Sequence, residues 1–163
     1  MIHGMIVGDR ETIAKLGKTK ERARDGVKKT IVNLTLELLR RVKADKLSGQ
    51  VLNVRTGLLR RRTHHRVTES GSRIEGIVGN NAEYARAHEL GFKGPVSVKA
   101  HLRQIKEAWG KPLKAAKKIQ VKPHTRQVEL PARSFLRSAL ADMEPKIRDE
   151  LRETLRHEMK GLL

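Results

Sequence analysis

The sequence has 163 residues, the size of a single domain, and only 2% of them are aromatic, so aliphatic side chains must fill its core. Thirty-six Lys and Arg residues against 18 Asp and Glu residues give a formal net charge of +18, which predicts an acidic partner, nucleic acid first. The absence of cysteine excludes a disulfide framework and thiolate chemistry. No stretch approaches the roughly 20 apolar residues of a membrane span, so we expect a soluble protein that no signal peptide exports.

The first 50 residues predict an arm, a short helix and a long helix. The apolar start of the chain, residues 1–8, is interpreted as an N-terminal arm or edge strand. Asp9 is expected to cap a short helix that ends near Gly17. A long helix over residues 19–46 follows, because apolar residues recur at steps of three and four. They are Val27, Ile31, Leu34, Leu38 and Val42. The width of this stripe predicts cover on more than one side, from the sheet and a second helix or from a neighbouring subunit.

A tight turn and a hairpin are predicted next. Gly57 tolerates positive φ, so the segment 55–59 is expected to turn into a strand. Two extended runs, 60–69 and 73–79, flank the small polar linker 70–72, and this arrangement is typical of an antiparallel pair. A short helix over residues 82–90 follows, ended by a glycine at position 91.

A basic hairpin is predicted between this short helix and the last helix. Alternation of apolar and polar residues indicates a strand over 96–102 and a return strand near 119–121. Between them, the lysine-rich segment 104–118 is interpreted as a long basic loop, either the tip of a hairpin or mobile. Pro123 is expected to end or bulge the return strand.

The C-terminal helix is predicted over residues 132–161, where Pro145 either kinks it or starts a second helix capped by Asp142. The chain is therefore expected to be a single α+β domain over residues 1–163. It consists of a long N-terminal helix, a mainly antiparallel sheet of four or five strands over 55–130, and a C-terminal helix.

The sequence gives no pattern that predicts an enzyme. His64 and His65 are adjacent, and neighbouring strand residues point to opposite faces, so the two rings cannot reach one ion. His88 and Glu89 diverge by about 100° on a helix, and no nucleophile is near them in sequence. Gly-rich phosphate loops and metalloprotease helices are absent as motifs. We therefore expect no catalytic activity, no metal and no cofactor.

Clusters of basic residues are the one positive signal of function. A single charged run is usually a solvated face, but the excess of +18 argues against that interpretation here. Aromatic residues for stacking on bases are scarce, which favours sequence-independent contact with phosphates. The candidate DNA-facing or partner-facing residues are Arg60, Arg61, Arg62, Arg66, Lys111, Lys114, Lys117 and Lys118.

Three motifs together resemble the small neck or tail-completion proteins of tailed bacteriophages, which join heads to tails. That family has a T-G-x-L turn, a Y-A-x-x-x-E-x-G segment and a P-x-R-P-F-L-x-x-A-L segment, in this order. The matching segments here are RTGLLR at 55–60, GNNAEYARAHELG at 79–91 and PARSFLRSAL at 131–140. Two departures are Ser134, where the family usually has proline, and a longer basic insert between residues 99 and 126.

The resemblance implies a structural virion protein that forms a ring, expected to be sixfold, at the head-tail junction. Such a ring would join the tail to the DNA-filled head and surround the DNA path. Implied partners are other copies of the chain, head-closure and tail-terminator or tail-tube proteins, and DNA bound without sequence preference, with no membrane. The implied location is the virion neck, after assembly in the host cytoplasm. Residues with a structural role by this resemblance are Thr56, Gly57, Leu59, Tyr84, Glu89, Gly91, Phe135 and Leu136. We expect Tyr84 to be anchored between the short helix and the sheet.

A second hypothesis is a free, sequence-independent nucleic-acid-binding protein, such as a ribosome-associated or chromatin-like factor. It would account for the basic composition without a ring. An enzyme of unusual type is disfavoured because no catalytic set is evident.

Overall fold

A computed structural model describes residues 10–108 and 111–160, with side chains described for 17–105 and 118–160. It has four α-helices and six strands within these ranges, which confirms the predicted α+β class. The helices are α1 (Arg10–Arg41), α2 (Leu58–Arg62), α3 (Ala85–Leu90) and α4 (Leu136–Met159). The strands are β1 (Thr63–Ser70), β2 (Arg73–Asn80), β3 (Phe92–Val98), β4 (His101–Ala108), β5 (Lys111–Val121) and β6 (His124–Leu130). The predicted arm over 1–8 lies outside the described residues.

Helix α1 is continuous where two helices were expected. It passes through Gly17 without a break, so the prediction of a separate short helix ending there was wrong. One glycine in a helix costs only about 1 kcal/mol relative to alanine, which a helix of 32 residues tolerates. A π-helical segment, Val42–Gln50, extends α1, and regular winding is lost at Leu47–Gly49. The end predicted for the long helix, at residue 46, therefore falls inside this segment.

Helices α1 and α4 pack side by side in antiparallel directions. Thr30 and Thr154 join their hydroxyl groups across the pair at 2.8 Å, and Lys146 Nζ donates to a Glu37 carboxylate oxygen at 2.6 Å. Helix α4 continues through Pro145, so no second helix begins there. Proline has no N–H group and so removes one backbone hydrogen bond of the helix. Because Pro145 lies on the exposed side of α4, water can donate to the carbonyl that loses its partner.

The β1–β2 hairpin lies against α1 as a second layer. Its two-residue turn uses Gly71 at φ 56°, as predicted for a short polar linker. Glu69 at the end of β1 forms ion pairs with Arg24 and with Lys28, and Lys28 Nζ lies 2.8 Å from its carboxylate. The first strand begins at Thr63 and not at residue 60, because the chain winds into α2 directly after Gly57.

The strands form three separate two-stranded sheets, so the expectation of one sheet with four or five strands was wrong. Strands β3 and β6 pair antiparallel, and β4 and β5 continue the same path beyond short breaks at 99–100 and 122–123. The described residues of 92–130, which are 92–108 and 111–130, thus make one long two-stranded ribbon, and the segment 92–130 is called the basic ribbon below. Its strands pack chiefly on each other and not extensively on the helices in the described part of the chain.

The predicted loop 104–118 belongs to strands β4 and β5, apart from two positions that lie outside the described residues. The sequence hid these strands because many of their positions are lysines, and their stabilising partners lie across the ribbon and not nearby in sequence. A register shift between Ile105 and Glu107 interrupts the pairing. Pro123 lies in the break between β5 and β6, as predicted.

The core lies where the end of α1, the start of α4 and the segment before α3 meet. It is aliphatic apart from Phe135, which is fully buried, as are Val42 and Met143. Its buried members are Val42, Leu47, Leu52, Ala82, Ala85, Phe135 and Ala139. The three segments are distant in sequence, so the core itself holds them together.

Gly76 of β2 lies directly against α1, so a substitution at Gly76 tests the packing of the hairpin on this helix. A methyl group built at Gly76 would lie 1.9 Å from Thr35 Oγ1. Gly76→Ala should therefore destabilise the protein by about 1–3 kcal/mol, measured by urea unfolding. Thr35→Ala in the same chain should relieve part of that cost.

Gly17→Ala is the matched control, because no atom of the described residues lies within 4 Å of a Cβ at that helical position. It should stabilise the protein by about 0.5–1 kcal/mol. Equal effects of the two glycine substitutions, or strict additivity of Gly76→Ala with Thr35→Ala, would contradict this packing.

Candidate interaction surfaces

The Glu89 carboxylate is the node that joins the second and third motif segments. It is 8% exposed and lies at the N-terminus of α4. The backbone N–H groups of Phe135, Leu136 and Arg137 donate to its oxygens at 2.8, 2.9 and 2.9 Å. Ser134 Oγ donates at 2.6 Å. These are the N–H groups that the first turn of a helix leaves without partners, so Glu89 caps α4 from a distant segment.

Burial and hydrogen bonding act on Glu89 in opposite directions. Burial alone would raise the pKa of the Glu89 carboxyl, but the donors from Leu136, Ser134, Arg137 and Phe135 together outweigh it. The pKa of Glu89 is therefore lowered from its ordinary value of 4.5, and the carboxylate stays ionised at neutral pH.

The same node holds the base of the basic ribbon. Arg133 N–H donates to the His88 carbonyl at 2.7 Å, which ties the chain after β6 to the end of α3. Gly91 has φ 80°, and a Cβ there would lie 3.0 Å from the Ala132 backbone nitrogen. Gly91 ends α3 as predicted, and only glycine fits this conformation and this approach without strain.

Sequence reasoning missed a second network, centred on Asn80. Asn80 Nδ2 donates to the Leu59 carbonyl at 2.7 Å and to Thr63 Oγ1 at 2.8 Å, while its Oδ1 accepts from Ala82 N–H at 2.8 Å. Thr63 is 2% exposed. This network fastens α2 and β1 to the segment before α3. The Gly-Asn-Asn run that opens the second motif segment, residues 79–81, was the sequence signal for it.

The predicted basic residues lie on three elements, α2, β1 and β5. Arg60, Arg61 and Arg62 lie on α2, and the Arg61 and Arg62 side chains approach the carbonyls of Thr56 and Asn81 at 3.5 and 3.3 Å. Arg66 is exposed on β1. Lys118 is exposed on β5, and residues 111, 114 and 117 lie on the same strand with side chains outside the described set.

The basic ribbon carries a large share of the excess positive charge, +8 of the total of +18. Residues 92–130 contain ten Lys and Arg residues and two Glu residues. Among its described side chains one ion pair occurs, between Lys93 and Glu129, and both side chains are largely exposed. On α1, β1 and α4, by contrast, acids pair with basic side chains, and these acids are Glu37, Glu69 and Asp142.

Large apolar side chains remain exposed on the helices and on the ribbon. Leu140, Leu155 and Met159 of α4 are 49%, 43% and 55% exposed, and Leu102 of β4 is 71% exposed. Leu155 and Met159 are four residues apart and therefore lie on one face of α4, where they form an apolar surface that a protein partner would bury.

A groove of about 640 Å³ lies beside the Gly57 turn. Gly57 has φ 68°, which confirms the predicted turn conformation. Leu47, Leu52 and Leu59 are among the apolar residues that line the groove. Basic side chains also border it, and they are Arg55, Arg60 and Arg133.

Tyr84 lies at this groove and is not anchored between α3 and a sheet. It is 39% exposed and meets the His88 ring edge to face, with ring centres 5.7 Å apart. The expectation of a buried anchor was wrong, because Tyr84 immediately precedes α3 on its solvent side. The first motif contributes Thr56, Gly57 and Leu59 to the same groove.

The remaining predicted motif residues lie at the α4 node. Glu89 accepts from the backbone N–H groups of Phe135 and Leu136 there, and Gly91 lies against Leu130 and Ala132 just before them. Within the described residues, no group of three or more His, Cys, Asp or Glu side chains could hold a metal ion. Among those residues, no helix is both long and apolar enough to cross a membrane.

Comparison with known proteins adds no relative. No protein-family model matches the chain, and neither a curated protein nor a solved structure matches it. The resemblance to phage neck proteins therefore stays a prediction from the three motifs.

The Glu89 node predicts a specific pH dependence. Glu89→Gln should lower the free energy of unfolding at pH 7 by about 1–2 kcal/mol, because a neutral amide caps the helix more weakly and lacks the second acceptor. The folded pKa lies below the unfolded value, so the stabilisation is present above that value and is lost as the pH falls through the folded pKa. The difference between parent and variant should thus be full above the ordinary carboxyl pKa of 4.5 and shrink as the pH falls below it.

Urea unfolding at several pH values checks this, with Glu83→Gln as the control. Glu83 is an exposed carboxylate a few residues before Glu89. A pH-independent difference for Glu89→Gln, or an equal loss of stability in the control, would contradict the cap.

Proposed function

We propose that this chain is a structural protein of tailed-bacteriophage virions. In this proposal it forms a homo-oligomeric ring at the junction of head and tail, joins the tail to the DNA-filled head, and surrounds the DNA path. The observation that carries the proposal is the basic ribbon, which is long and exposed and packs little on the rest of the described chain.

The ribbon favours a role inside an assembly for a physical reason. An isolated two-stranded hairpin is marginally stable in water, and both edges of this one are unpaired among the described residues. Its cations also repel one another, since ten face only two acids in residues 92–130. Packing on neighbouring subunits and neutralisation by DNA phosphates would remove both costs.

The exposed apolar side chains support subunit contacts. Leu36 on α1 is 42% exposed, and three large apolar residues of α4 are exposed as well. A ring buries such surface between one face of a subunit and a different face of the next. A free monomeric nucleic-acid-binding protein would leave it in water.

The ribbon is suited to phosphates and not to bases. Among the ribbon's described side chains, Phe92 at its base is the only Phe, Tyr or Trp, so this part of the ribbon has no row of such rings on which bases could stack. Lysine and arginine contacts to phosphates bind any sequence and release counterions, so the affinity falls steeply with salt.

DNA binding in solution tests the ribbon. Changing residues Lys111, Lys114, Lys117 and Lys118 to Gln should reduce the slope of log affinity against log salt by roughly 0.9 for each phosphate that the variant no longer binds. Fluorescence anisotropy with duplexes of unrelated sequence measures this slope. Affinity should not depend on the sequence of the duplex.

The control removes the same charge elsewhere. It changes residues Arg148, Arg152, Arg156 and Lys160 of α4 to Gln, and these side chains are all exposed. Its slope should change less than that of the ribbon variant. An equal change would mean that net charge alone drives binding, and selective, salt-tolerant binding would favour the free nucleic-acid-binding protein.

Assembly is the second test. Light scattering after gel filtration and negative-stain microscopy of the purified chain should show rings, and Leu155→Glu combined with Met159→Glu should reduce them by placing charge on an exposed apolar face. In phage particles that lack the chain, filled heads and tails should accumulate unjoined. A strictly monomeric chain together with particles that assemble and infect without it would overturn the proposal.

A further inference from the structure

We infer that the groove beside the Gly57 turn binds an acidic segment of a different protein, with one aliphatic side chain of that segment on the leucine floor. The groove is built from three regions far apart in sequence, 47–60, 84–88 and Arg133. This inference does not rest on ring formation or on DNA binding.

The lining of the groove is apolar. Leu47 and Leu52 form its buried base, at 2% and 7% exposed, and Val54, 51% exposed, and the half-buried Leu58 form its accessible apolar part. A volume of about 640 Å³ is in the range of ligand sites, and it holds one large aliphatic side chain with its flanking backbone. A phosphate group has no favourable contact to make with such a floor.

The border of the groove selects for negative charge. Arg55, Arg60 and Arg133 are exposed, and none of them forms an ion pair with a described residue of the chain. The residues that line the groove include no Asp or Glu. Guanidinium groups bind carboxylates through two parallel hydrogen bonds, so three of them around an apolar floor match carboxylates that flank an aliphatic residue.

Charge complementarity also argues against a second copy of this chain as the occupant. Each quarter of this chain has more basic than acidic residues, and even the C-terminal segment 131–163 has seven basic against six acidic. Another copy offers acids that alternate with cations, as on α4, where Glu144 and Asp149 pair with Arg148 and Arg152, and such a surface matches three arginines poorly. The occupant is a foreign protein segment that combines Asp or Glu with Leu or a similar residue.

Peptide binding to the full chain tests the inference. The probes are fluorescein-labelled EEELEEE and EEEAEEE, followed by fluorescence anisotropy. The leucine peptide should bind about tenfold more tightly, because only its side chain reaches the floor. Changing Arg55, Arg60 and Arg133 together to Gln should abolish at least nine-tenths of the affinity, and changing them to Lys should retain an intermediate affinity.

A matched variant separates the groove from bulk charge. Arg66, Arg103 and Arg126 are exposed, lie outside the groove, and give up the same charge when changed to Gln. This variant should bind the leucine peptide within about twofold of the parent. Urea unfolding should show that both triple variants are as stable as the parent.

A photoreactive leucine in the peptide gives an independent readout. Mass spectrometry should place its crosslinks on residues 47–60 and 84–88. Equal affinity for the two peptides, equally weakened binding in the two triple variants, or crosslinks elsewhere would overturn the inference. Two further outcomes would assign the groove to another occupant. If duplex DNA displaces the leucine peptide from the parent and no longer binds the variant in which Arg55, Arg60 and Arg133 are changed to Gln, the groove is a nucleic-acid site. If that variant loses self-association, the occupant is a second copy of the chain.

Discussion

The whole arrangement depends on one buried carboxylate at the start of α4. Glu89 satisfies three backbone N–H groups that the helix leaves without partners, and it does so from the end of α3. Because α3 leads into the ribbon and the ribbon returns into α4, this cap also fixes where both strands of the ribbon leave the body. Glu89 thereby fixes the relative positions of α3, the ribbon and α4. Its negative charge contributes to the stability of the fold, because it lies at the positive end of the α4 dipole.

Charge is distributed unequally between the body and the ribbon. Acids of the helical body are used in ion pairs, as for Glu37 with Lys146 and Asp142 with Lys46, and this limits repulsion where the core lies. The ribbon has no comparable supply of acids. A net charge of +18 is therefore compatible with a folded body, because much of the excess lies on a ribbon that extends away from it.

The ribbon and the groove are chemically different surfaces of one molecule. The ribbon offers exposed cations on a narrow two-stranded support, which suits a polyanion that is read only by its charge. The groove combines a leucine floor with three arginines, which suits a protein segment with a defined side chain. The proposed role at a head-tail junction would use both kinds of contact, since a protein there would meet nucleic acid and other proteins at once.

Local chemistry in the sequence determined the α+β class, the positive φ of Gly57, the hairpin turn at Gly71 and the end of α3 at Gly91, because each depends on a backbone preference or a short periodicity. The tertiary structure alone decided that residues 104–118 belong to paired strands, that α2 precedes β1, and that Tyr84 lies exposed at a groove. It also decided the role of Glu89, whose partners lie 45 to 48 residues further along the chain. The physical reason is that cross-strand pairing and capping from a distant segment depend on which segments meet in space, and no local pattern encodes that.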